Sequence, residues 1–159
     1  MVEHLGEQPD DQADEGQSTE WKRPESDFFL EELIGLVNAA AEDGPAGLGI
    51  TLTVGGLVIT GELASGRHYY LESAKAFGKS LPEGDTRETV EKWVGGFSKI
   101  YDRPDIDERI TFIHLKNVRF LSSTGTFIIP NGGESSVWWR GRLSEVSGFM
   151  LGTFGDRLS

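Results

Sequence analysis

The chain reads as an α+β domain: a mainly antiparallel curved sheet, open or partly closed into a barrel, with an N-terminal helix and a helical insertion. Three observations predict it. An apolar stripe at helical spacing comes before any strand pattern. Two period-two runs then meet at Gly55-Gly56. After a further helical stretch, the rest is a meander of β-rich segments separated by glycine turns, whose glycines supply the curvature.

The first helix follows Pro24, with Ser26 or Asp27 as its cap. Phe29, Leu30, Leu33, Ile34, Val37, Ala40 and Ala41 form its apolar stripe, which ends before Gly44-Pro45. In the first strand Ile50, Leu52 and Val54 alternate with Thr51 and Thr53. In the second, Leu57, Ile59, Gly61 and Leu63 alternate with Val58, Thr60 and Glu62, so both strands are expected to be half-buried. Gly55-Gly56 can take the positive φ angles of a two-residue hairpin turn.

From 67 to 79 the period becomes helical, with Tyr70, Ala74 and Phe77 on one side, until Leu81-Pro82-Glu83-Gly84 breaks it. Asp85 or Thr86 then caps another helix, with Glu88 at the reciprocal capping position. Val90, Trp93, Val94, Phe97, Ile100 and Tyr101 form a stripe expected to be buried, although Gly95-Gly96 weakens the helix. Residues 110–121 carry apolar side chains on both alternating faces. That pattern suits a central strand covered on both sides or carrying a bulge. Residues 124–129 read as a short strand and 130–133 as a turn. Residues 136–145 and 149–154 read as a closing hairpin around Ser147-Gly148.

The 159 residues divide into an acidic tail, residues 1–25, a single α+β domain, residues 26–154, and a short C-terminal tail, residues 155–159. Residues 1–27 hold nine acidic and two basic side chains, so -7 of the net -11 lies there and only -4 in the remainder. The tail has too few apolar groups to offset the entropy of ordering and is expected to be disordered. It serves as a solubilising extension or as an electrostatic partner for basic surfaces. Its acidity gives no sign of a secretory leader, and no run approaches the roughly 20 apolar residues of a membrane helix. A cytoplasmic location is the default expectation, with no membrane contact. The chain has no cysteine, and His4, His68 and His114 lack ligand spacing, so no metal site is expected.

The run from Val137 to Gly152 concentrates aromatic, arginine and glycine residues in a strand pattern. Val137, Trp139, Gly141 and Leu143 share a core-like face. Trp138, Arg140, Arg142 and Ser144 share a cationic, aromatic one. Trp138, Arg140 and Arg142 are therefore candidates for partner contact, since tryptophan and arginine dominate binding hot spots. The competing structural reading packs Trp138 under a helix and pairs the arginines with Glu145 or Glu134. His114 and Lys116 share one side of their strand and are lesser candidates. The structural reading makes His114 an imidazole bonded to backbone or to Asn117. No nucleophile elbow and no short carboxylate motif points to catalysis, so no catalytic residue or cofactor is assigned.

Three blocks resemble the gas vesicle accessory protein GvpU family: Ile50-Thr-Leu-Thr-Val-Gly-Gly-Leu-Val-Ile-Thr-Gly61, Phe112-Ile-His-Leu-Lys-Asn117, and Trp139-Arg-Gly-Arg-Leu-Ser-Glu-Val-Ser-Gly-Phe-Met-Leu-Gly152. The resemblance implies a cytoplasmic, non-enzymatic accessory protein without a cofactor. It would act on the association or clustering of gas vesicles, at their surface, with shell or accessory proteins as partners. Residues 1–25 and 82–108 match no motif of the family. The edge-like segment 149–154 adds an expectation of homo-oligomers. The alternative is a Sm-like nucleic-acid-binding module, which also opens with a helix, a strand, a glycine turn and a bent strand. The residual acidity of residues 28–159 opposes it.

Overall fold

The computed structural model describes residues 26–40, 47–102, 111–122, 124–125, 127–128 and 137–154. The expected tails, the turn at 130–133, the loop around Gly44-Pro45 and the start of the third strand at 110 lie outside them. The order is α1 (Phe28–Ala39), β1 (Gly49–Val54), β2 (Leu57–Ala64), α2 (Gly66–Lys79), α3 (Asp85–Gly96), a 3-10 helix (Phe97–Asp102), β3 (Phe112–Leu121), β4 (Phe127–Ile128), β5 (Trp139–Arg142), a 3-10 turn (Leu143–Glu145) and β6 (Val146–Leu151). The fold is the expected one: an α+β arrangement in which a curled, half-barrel antiparallel sheet carries an N-terminal helix and a helical insertion.

Helix α1 is capped by Asp27, whose carboxylate accepts the Leu30 N–H at 3.1 Å. It buries Leu30, Ile34 and Val37. The β1–β2 hairpin keeps the expected register, with Val54 opposite Leu57, and turns through Gly55 at φ 57° and Gly56 at φ 84°. Ile50, Leu52, Ile59, Leu63, Ile113, Leu115, Val118 and Leu143 complete one core with α1. Burying each such side chain contributes about 1.5–3 kcal/mol. The threonine face is not solvated as expected. Thr51 and Thr60 are buried and hydrogen-bond to each other at 2.9 Å, because the chain after β6 folds back over them. Thr51 Oγ1 donates to Gly152 O at 3.0 Å, and Phe154 N donates to Thr60 Oγ1 at 3.2 Å.

Strand β3 is central and carries a bulge. Its register against β2 shifts between Thr60 and Glu62, opposite Asn117, which adopts φ 56°. The extra residue resets the alternation, so Ile113, Leu115 and Val118 all reach the core. This explains the apolar residues on both phases of the sequence.

The closing hairpin is not formed. Strand β5 pairs with β3, whereas β6 pairs with β1, giving the order β4-β3-β2-β1-β6 with β5 also on the β3 edge. On a flat sheet β5 and β6 would stand four strand spacings apart, about 19 Å. The connection from Arg142 to Val146 spans roughly 14 Å at full extension, and less as a 3-10 turn. The sheet must therefore curl until its two edges approach.

Two expectations about the insertion are corrected. Helix α3 begins at Asp85 behind Gly84, at φ 138°, without a side-chain cap. Its stripe is not buried: no α3 residue is, and Trp93 remains 68% exposed, with Phe97 and Ile100 also exposed. The α-helix ends at Gly95-Gly96 and tightens into the 3-10 helix, as two weak helix formers allow. On α2, Ala74 is buried but Phe77 is exposed.

Gly61 sits at the bulge, where an added Cβ would lie 2.9 Å from Lys116 O and 3.3 Å from Val118 Cγ2. Gly61→Ala is expected to destabilise the fold by about 1–3 kcal/mol, since backbone must move to admit it. Urea denaturation would check this. An unchanged midpoint would show that the bulge tolerates a side chain.

Candidate functional site

The site is built on β5 and β3, beneath the first turns of α2. Trp139 packs against the core, and its indole covers Gly141, where an added Cβ would lie 2.2 Å from the ring. That orientation sends Trp138 and Arg140 to the opposite face. Trp138 is half-buried there, with its ring 5.1 Å from His68 and 6.3 Å from Tyr69, both on α2. The expectation that Trp138 packs under a helix holds. Among the described residues Arg140 stacks rather than pairing with a glutamate, its guanidinium carbon lying 3.3 Å from the centre of the Phe112 ring. Arg142 is exposed, and Glu134 lies outside the described residues.

His114 lies opposite Arg140 in the β3–β5 register and is 1% exposed. Its ring is 4.7 Å from Tyr69, 6.3 Å from Tyr70 and 6.0 Å from Tyr101. Among the described residues neither ring nitrogen has a hydrogen-bond partner, so the expected bond to backbone or Asn117 is absent there. Asn117 instead donates to Glu62 at 2.9 Å, and Glu62 also meets Lys116 at 3.5 Å. Burial, with the Arg140 charge beside it, lowers the His114 pKa to about 3. The imidazole is therefore neutral at physiological pH, held among rings rather than poised beside a carboxylate.

The structure thus gathers Trp138, Arg140 and His114 into one cluster. Lys116 engages Glu62, and Arg142 alone among the five candidates is exposed. Sequence reasoning missed His68, Tyr69, Tyr70 and Tyr101, the side chains that cover the cluster. The consecutive His68-Tyr69-Tyr70 at the start of α2 was the available signal. Ser65 caps that helix, accepting the His68 N–H at 3.2 Å, which sets the rotation that turns Tyr69 toward the sheet.

A cavity of about 510 Å³ lies beside the cluster, lined by residues that include Asn38, Ser65, His68, Leu71, Glu72 and Tyr101. Its charged groups are partly paired with each other: Arg67 binds Asp102 at 2.6 Å, and Lys75 binds Glu72 at 2.6 Å. His114 is not among its lining residues. Among the described residues no cluster of potential ligands could hold a metal ion, and no helix is long and apolar enough to cross a membrane.

A pH dependence follows from His114. Because the folded pKa lies below the ordinary 6.5, protonation favours the unfolded chain. Stability is full above about pH 6.5 and falls as pH drops toward 3. Thermal melts should show a loss of about 2 kcal/mol between pH 7 and pH 5 that His114→Phe removes, given 1.36 kcal/mol per pKa unit. Equal slopes in both proteins would contradict this.

No curated protein and no solved structure matches the chain. A family model described as "Gas vesicle protein GvpU-like" matches residues 27–154, from the cap of α1 to the segment that folds back after β6. The match takes in the hairpin, the bulged strand and the Trp139–Gly152 block together with the helical insertion. The chain belongs to the GvpU-like family of gas vesicle proteins.

Proposed function

We propose that this protein is a non-enzymatic accessory factor of gas vesicles, acting in the cytoplasm at the vesicle surface. It acts in vesicle association, clustering or assembly through protein-protein contacts and self-association. The family match over residues 27–154 carries the reading. The packing of the cluster supports it: His114 is neutral among aromatic rings, and Lys116 is bound to Glu62. His114 packs between β3 and α2, the Lys116–Glu62 pair ties β3 to β2, and among the described residues no carboxylate pairs with His114. Residues 26–154 form the working domain, and the acidic residues 1–25 temper association by repulsion.

Arg142, with half-buried Trp138 and Arg140 behind it, makes the partner contact, while His114 lies beside that strand on β3 and Lys116, held by Glu62, lies beyond it. Recognition of a protein shell needs shape and charge complementarity rather than a reacting atom. Arg142→Glu should weaken co-sedimentation with gas vesicles about fivefold at low salt without lowering the melting temperature. An exposed charge contact contributes up to about 1 kcal/mol. Unchanged sedimentation would remove Arg142 from the contact.

A second reading, a Sm-like nucleic-acid-binding module, draws on the order of helix, strand, Gly55-Gly56 turn and bent strand present in the structure. A mobility shift with RNA at low salt that vanishes as salt rises would favour it over the vesicle reading.

A further inference from the structure

Strand β6 ends the sheet order. Among the described residues it pairs with β1 alone, so its outer backbone edge is open. Natural edge strands are commonly guarded by a charge, a proline or a short length. The six residues of β6, Val-Ser-Gly-Phe-Met-Leu, contain no charge and no proline. A register irregularity falls at its start, opposite Thr53 and Val54, and leaves the remaining four pairs regular.

Both faces beside this edge are apolar. On the core side Phe149 stacks on Phe29 of α1, with ring centres 6.1 Å apart, and Phe29 and Leu151 remain exposed. On the other side Met150 and Phe154 are exposed beside an apolar groove of about 490 Å³ that they help to line. Met150 is 53% exposed and Leu151 56%. At ~150–250 Å² for an aromatic side chain, the four residues, each about half exposed, present roughly 400 Å² of apolar surface. That is about half of the ~800 Å² per partner of a standard interface, before the backbone edge is added.

We infer that β6 is the self-association surface, and that it pairs antiparallel with β6 of a second copy about a two-fold axis. The occupant follows from the geometry. An uncharged strand is complementary to itself when antiparallel, and the two-fold apposes the Phe149 and Leu151 faces of both copies. Gly152 permits the arrangement, since its φ of 101° turns the chain off the edge and over Thr51 and Thr60, so that the described residues after β6 do not run along its outer edge. The inference rests on the self-association proposed above and names its surface.

The test is sedimentation velocity on the full chain and on the double variant Met150→Lys, Leu151→Glu, with Phe77→Lys on the helical insertion as control. The expected result is a dimer for the full chain and the control, and dissociation at least about tenfold easier for the double variant. Because the chain has no cysteine, single Ser147→Cys, Gly148→Cys and Phe149→Cys proteins give a second readout that needs no destabilising charge. Paired strands bring Cα atoms within ~4.5–5.5 Å, which a disulfide can span. At least one of the three should oxidise to a covalent dimer, and Phe77→Cys should not. A full chain monomeric at every concentration would overturn both the self-association and its surface. A dimer unaffected by the double variant, with no β6 cross-link, would overturn the surface alone. A monomer whose β6 edge is protected only when vesicles are added would assign the edge to a shell strand and overturn the second copy.

Discussion

The reach of one short connection governs this fold. Arg142 ends a strand on the β3 edge and Val146 begins a strand on the β1 edge, with a 3-10 turn between them. That turn cannot cross a flat sheet, so the sheet must curl. The curl is made where β2 meets β3: Gly61 brings its backbone against Lys116, and Asn117 takes a left-handed conformation. The bulge bends the strand and resets its phase, so one curled face gathers Ile113, Leu115 and Val118 over Leu52 and Ile59. The N-terminal helix closes that face, and Leu143, inside the short turn, is itself part of the core.

The opposite face follows from the same alternation. Once Trp139 is committed to the core, Trp138 and Arg140 must lie on the other side, facing α2. There the rings run in contact from Trp138 through His68 and Tyr69 to His114 and Tyr70, and on to Phe97 and Trp93. A protonated histidine in that column would be a buried charge beside Arg140, so the imidazole stays neutral. The helical insertion is thus anchored at its α2 end by aromatic packing, while none of the α3 residues is fully buried and Trp93 stays largely exposed among the described residues.

The features proposed to bear on function are surfaces: Arg142 at the end of β5, and the uncharged edge of β6, which begins four residues further along the chain. The short turn places the proposed partner contact and the proposed self-association edge at its two ends. The same curl that completes the core therefore sets the spacing between them.

The helices, the Gly55-Gly56 hairpin, the bulged central strand and the two faces of the Trp139 strand were legible in sequence, because each is set by local periodicity or by a glycine requirement. The partners of β5 and β6 were not. Two adjacent strand patterns separated by three residues look like a hairpin unless the sheet's curl is known, and curl depends on contacts far apart in sequence. The fates of His114 and Trp93 were also hidden, since periodicity marks which residues share a face but not what covers it. Only the tertiary structure placed tyrosines over His114, let Asn117 bind Glu62 and left Trp93 largely exposed. Local chemistry determined the elements, and long-range packing decided their neighbours.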